Sequence, residues 1–91
     1  MNFKKYFKKN KVKLSQEERF AMDVSRFVFV ARSRSGFTQS KLARKIKTKQ
    51  PAIARLENGD VSPTIRMLAK IATACGGELK IKFLPPNNTK Q

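Results

Sequence analysis

The glycines fall at three stops in this chain, Gly36, Gly59 and Gly76-Gly77, and each stop follows a run of apolar residues at helical spacing. A residue without Cβ takes the left-handed backbone conformation cheaply, so a glycine just past such a run marks a helix end. The chain is thereby cut into short helices. The first run also carries a start signal, because Ser15-Gln16-Glu17-Glu18 has the residues of a capping box. From Gln16 onward, Phe20, Val24, Phe27, Val28 and Ala31 share one face of a helix. The Phe27-Val28-Phe29-Val30 run favours a strand locally, but the cap and the period outweigh it.

Thr38 can cap a second helix, Gln39 to Ile46, with Leu42, Ala43 and Ile46 turned inward. A third runs from Gln50 to Glu57, burying Ile53 and Leu56, and Asn58-Gly59 stops it. Thr64 can cap a fourth, Ile65 to Cys75, with Leu68, Ala69 and Ala72 inside. The period then changes: Glu78-Leu79-Lys80-Ile81-Lys82-Phe83 alternates polar and apolar, which predicts a half-buried strand ended by Pro85-Pro86. The expected fold is mainly α, a four- to five-helix bundle with one short C-terminal β-strand. At 91 residues it makes a single small domain. Residues 1–14 form a basic arm, 15–77 the bundle, 78–84 the strand and 85–91 a disordered tail. A lone strand cannot satisfy its own ladder. It must pair with Lys11-Val12-Lys13-Leu14 or with its copy in a second chain, and the homodimer is the preferred reading.

Lys and Arg number 21 against 6 Asp and Glu, a net charge of +15 that points to a polyanionic partner, nucleic acid first. The charge gathers in residues 1–14 and again in residues 38–59. The absence of histidine removes imidazole acid–base chemistry and His-ligated metals. A single cysteine, Cys75, can close no internal disulfide and build no thiolate cage. We therefore expect an intracellular, cytoplasmic chain with no metal and no cofactor. The longest apolar run, Phe27 to Ala31, is far short of a membrane span, and the basic leader lacks the apolar segment of a secretory signal. No nucleophile stands beside a base in an arrangement that suggests an enzyme.

Two short helices joined by a tight turn, spelled G-F-T-Q-S-K-L-A-R-K-I-K-T-K-Q-P-A-I-A-R-L-E-N-G from Gly36 to Gly59, resemble the helix-turn-helix of the lambda-repressor/Cro type, the Xre family. The resemblance covers Val24 to about Cys75. It implies that the third helix lies in the major groove of double-stranded operator DNA with its early residues at base edges. Gln50 opens that helix, and a glutamine can bond adenine N6 and N7 bidentately; Arg55 can bond guanine O6 and N7 or a nearby phosphate. By resemblance Gln39, beside the Thr38 cap, clamps the DNA backbone at the start of the second helix. Lys41, Arg44, Lys47 and Lys49 flank the same surface, and Arg32 and Glu57 match a structural ion pair of the family.

The sequence departs from the family pattern twice. Lys47 stands where the turn usually has glycine, and Lys49 replaces the usual hydroxyl cap, each at an expected loss of about 1 kcal/mol. Phosphate contact by both lysines would compensate on binding.

A second apolar set on the first helix, Met22, Phe29 and Val30, needs a cover, either the chain's own Phe3, Tyr6 or Phe7 or a protein partner. Leu79, Ile81 and Phe83 of the strand join Met22 and Phe29 as possible partner-interface residues. A domain of this type with one terminal strand and a basic leader resembles HigA-type antitoxins. That resemblance implies a protein that neutralises a small RelE-like mRNA-cleaving toxin and represses its own operon. A stand-alone or phage-type repressor and an RNA-binding basic protein are the competing readings.

Overall fold

The structure, a computed structural model, describes residues 14–86. Four helices follow one another: α1 Gln16–Arg34, α2 Gln39–Lys45, α3 Gln50–Asn58 and α4 Ile65–Ala74. The capping box of α1 is formed, with the Glu18 N–H donating to Ser15 Oγ at 3.1 Å and the Ser15 N–H to Glu18 Oε1 at 2.8 Å. Thr38 accepts from the Lys41 N–H and Thr64 from the Met67 N–H, both at 3.0 Å. Lys49, at the start of α3, offers no side-chain cap; Pro51 in the first turn instead sits where no N–H is needed.

All four helices end in the same way. A left-handed residue closes each, Gly36, Lys47, Gly59 and Gly76. Around each, two reversed hydrogen bonds close the last turn, such as Phe37 N–H to Arg32 C=O and Gly36 N–H to Ser33 C=O after α1. This is the Schellman motif. After α2 the same pair of bonds runs from Thr48 to Ala43, at 2.8 Å, and from Lys47 to Arg44, at 3.2 Å. Lys47 holds φ at +60°, the one non-glycine residue with positive φ among those described.

Inside, Val24 and Val28 of α1, Leu42 and Ala43 of α2, Ile46 at its end, Ile53 and Leu56 of α3 and Leu68 and Ile71 of α4 form one core. Both α1 and α2 pack on α3, and α2 also touches α4. Thus α3 is held from two sides. Ser25 Oγ adds a polar tie by donating to the Glu57 carbonyl at 2.5 Å.

Three expectations are corrected. Phe20 is 46% exposed and lies outside the core, while Ala21 is buried; residues 16–20 are all exposed, and beside them stands a loop, whose Ser62 bonds Glu17, in place of a packed helix. In α4, Ile71 is fully buried and Ala69 only half, so the inner stripe is Leu68, Ile71 and Ala72, at i, i+3 and i+4. No strand forms among the described residues, and residues 78–83 run as irregular chain. Leu79 packs against the core, but Ile81 and Phe83 are exposed. Alternation predicts which side chains turn inward; a ladder also requires a neighbouring strand, and the described residues supply none. Of the suggested partner Lys11 to Leu14, residues 11–13 lie outside the described part, as do Phe3, Tyr6 and Phe7.

Candidate nucleic-acid interface

On α3, Ile53 and Leu56 face the core and leave Gln50, Pro51, Arg55 and Asn58 exposed, with Ala54 half-buried between them. The helix therefore rests on an apolar underside and turns a mostly polar stripe outward. Behind the stripe lies a chain of hydrogen bonds that joins three helices. Gln50 Nε2 donates to Gln39 Oε1 at 2.7 Å, and Gln39 Nε2 donates to Glu57 Oε1 at 3.0 Å. Arg32 closes the chain with two bonds to Glu57, Nε to Oε2 at 2.6 Å and Nη2 to Oε1 at 2.9 Å, and a third from Nη1 to the Phe37 carbonyl at 2.9 Å.

The chain has a direction that follows from donor and acceptor types. An ionised carboxylate only accepts, so Gln39 must turn its amide nitrogen to Glu57 and its oxygen the other way. Gln50 must then spend one N–H on that oxygen. What remains at Gln50 is one N–H and the amide oxygen, the donor and acceptor that complement N7 and N6 of adenine. The ion pair at the root is well sheltered, with side-chain exposures of 15% for Arg32 and 8% for Glu57. Hydrogen bonding to Glu57 raises the Arg32 guanidinium above its ordinary pKa; partial burial opposes this, and the Coulomb attraction of the same carboxylate adds to it.

Four cations, Lys41 and Arg44 on α2 and Lys47 and Lys49 in the turn after it, are exposed, as is the Thr38 cap. Lys41 and Lys45 lie over the Phe37 ring at 5.6 and 5.3 Å, a cation–π contact that keeps both stems on the surface of α2. Of the first N–H groups of α2, that of Lys41 is taken by Thr38 Oγ1, while those of Gln39 and Ser40 have no acceptor within the helix.

The structure brings Gln39 and Gln50 together, and leaves Thr38, Lys41, Arg44, Lys47, Lys49 and Arg55 exposed on α2, α3 and the turn between them. Met22 is half-buried, and Phe29, 53% exposed, lies under Arg32 at 5.5 Å from the guanidinium carbon to the ring centre. Ile81 and Phe83 are exposed and lie outside the core. Two features escape a reading of the sequence. One is the link from Gln39 to both Gln50 and Glu57, and the other is Ala54, an apolar spot on the outward stripe between Gln50 and Arg55. The T-Q pair and the E-N-G ending were the available signals for the first.

A seated helix with an outward polar stripe, an oriented amide at its start and cations on its flanks defines a DNA-binding helix-turn-helix module. The chain belongs to the helix-turn-helix family of lambda-repressor type: the family model described as Helix-turn-helix matches residues 31–81, more than half of the chain. This makes it a DNA-binding transcriptional regulator. No curated protein matches it. Among the described residues no helix is long and apolar enough to cross a membrane.

The left-handed Lys47 and the uncapped Lys49 carry a direct prediction. Lys47→Gly together with Lys49→Ser relieves the backbone strain and adds a cap acceptor, so stability rises by about 1 to 2 kcal/mol. Denaturant unfolding measures the gain. The same double variant loses DNA affinity if the two lysines bind phosphates, and unchanged affinity would show that they do not.

Proposed function

We propose that this chain is a sequence-specific repressor that binds operator DNA as a homodimer. Gln50 reads adenine, Ala54 meets a thymine methyl group, and Arg55 reads guanine or holds a phosphate. Thr38, Gln39, Lys41, Arg44, Lys47 and Lys49 grip the backbone on either side. The observation that carries the reading is the bonded series Arg32–Glu57–Gln39–Gln50, which leaves the Gln50 amide exposed and oriented at the start of a buried-side helix. A structural role alone would not require the terminal amide to stand in solvent.

The finer part of the proposal is that the protein is a cytoplasmic antitoxin of a type II pair. It would neutralise a small RelE/HigB-like mRNA-cleaving toxin and regulate its own operon. Exposed Phe29 and Val30 on α1, and Ile81, Phe83 and Leu84 after α4, supply apolar surface for the toxin and for the second subunit. The test is a gel shift on DNA upstream of the protein's own reading frame, with and without the product of the adjacent gene. A specific shift that the adjacent product alters, together with co-purification of the two proteins, supports the antitoxin reading. A specific shift that no neighbour affects leaves a stand-alone or phage-type regulator. Absence of any specific shift would overturn the repressor itself.

A further inference from the structure

Between the end of α2 and the outer face of α4 lies an open cleft of about 620 Å³. Ile46 and Ala69 form part of its floor, and Lys45, Lys47, Arg66 and Lys70 stand around it. No carboxylate lines it, and among the described residues none of the four cations is ion-paired. All four are exposed. Lys45 holds its ammonium over the Phe37 ring, outside the cleft lining, and leaves Lys47, Arg66 and Lys70 as the cations free to serve it; like charges around one concavity repel each other, and a polyanion in the cleft turns that repulsion into attraction.

Two observations say which polyanion. Lys47, at the mouth of the cleft, is also the residue held at φ +60° where the other three helix ends use glycine. A strained backbone position kept for a charged side chain points to a role for that side chain. Lys47 also stands three residues before Gln50, so one lining residue of the cleft belongs to the turn that feeds into α3. Arg66 and Lys70 lie one turn apart on the same face of α4, about 6 Å along its axis. A DNA strand offers a phosphate for roughly every 3.4 Å of duplex axis, so the two side chains can meet different phosphates of one strand.

We propose that this cleft seats a stretch of the DNA sugar-phosphate backbone bordering the groove that α3 enters, with Arg66 and Lys70 as phosphate contacts outside the helix-turn-helix itself. The proposal rests on the DNA-reading function above. It enlarges the footprint of each subunit by a strand segment that α2 and α3 alone would not touch. It also gives α4, which otherwise serves the core, a part in binding.

The experiment compares the wild-type chain, Arg66→Ala plus Lys70→Ala, and Arg19→Ala plus Arg26→Ala, all on a duplex selected by the wild type from a randomised library. The control pair removes the same charge from exposed positions of α1. Affinity is measured over a range of salt concentrations, and base preference by competition with mutated duplexes. The cleft variant is expected to lower the steepness of log K against log salt by about 1.8 per bound subunit, two phosphates at about 0.9 each, and so by about 3.6 for a dimer, with base preference unchanged. The control is expected to change the slope much less.

An unchanged slope in the cleft variant, with the wild type binding normally, overturns the cleft and leaves the repressor reading standing. An equal drop in the control also overturns it, since net charge would then be the cause. A third arm titrates a poly-glutamate peptide: if the cleft variant loses that peptide while its DNA slope is unchanged, the cleft serves an acidic protein and the proposal fails. If the wild type selects no duplex at all, the function itself fails and the cleft proposal falls with it.

Discussion

Glu57→Ala should lower the free energy of unfolding by about 3 kcal/mol, at the lower end of what breaking a buried ion pair costs. The carboxylate accepts from Arg32 twice and from Gln39 once. Its loss leaves the guanidinium, only 15% exposed, with one remaining protein acceptor, the Phe37 carbonyl. Incomplete burial keeps the penalty from the upper end, because water can reach part of the site. Glu57→Gln, which keeps an oxygen for Arg32, should cost clearly less. Both are read by denaturant unfolding. A loss within about 0.5 kcal/mol for the alanine variant would place the pair among ordinary surface charges. The effect should also reach DNA recognition, because Gln39 loses the acceptor that fixes its amide and Gln50 then loses its fixed orientation.

The second large effect is on salt. Lys41, Arg44, Lys47 and Lys49 make four candidate phosphate contacts in each subunit, eight in a dimer, before any contribution from Arg66 and Lys70. The slope of log K against log salt should then be about −7, and affinity should fall roughly 10⁴-fold between about 50 and 200 mM salt. A single subunit on the DNA would give about half that slope and roughly a 10²-fold loss. The slope therefore reports on both the charge-driven grip and the number of subunits bound. A slope near zero would mean that the cationic surface does not face phosphates.

Helix boundaries were legible because their signals are local. Ser15, Thr38 and Thr64 announce helix starts by a hydroxyl within reach of the chain a few residues on, and Gly36, Gly59 and Gly76 announce ends by conformational freedom. Lys47 shows the same logic from the other side: its Schellman bonds form although the side chain opposes the left-handed turn, because burial of Leu42, Ala43 and Ile46 fixes where α2 must stop. Features that depend on distant neighbours were less legible. Helical spacing put Phe20 on the inner face correctly as an angle, yet could not say that no other helix extends that far along α1. Alternation across residues 78–83 describes a strand that could exist, while a partner decides whether it does. At the site, Gln50, Gln39, Glu57 and Arg32 could each be singled out by residue type and motif. Their bonded order could not, because it arises only when α1, α2 and α3 meet around the Glu57 side chain.

On the function proposed above, α3 presents Gln50 to a base edge in an orientation set from behind by Gln39 and Glu57. Base preference of the wild type and of Gln50→Ala, measured position by position on a selected duplex, tests it most directly. The variant should lose discrimination at one A·T pair by about 1 to 3 kcal/mol while preferences elsewhere persist. Equal weakening on every sequence, or an unchanged preference, would contradict it.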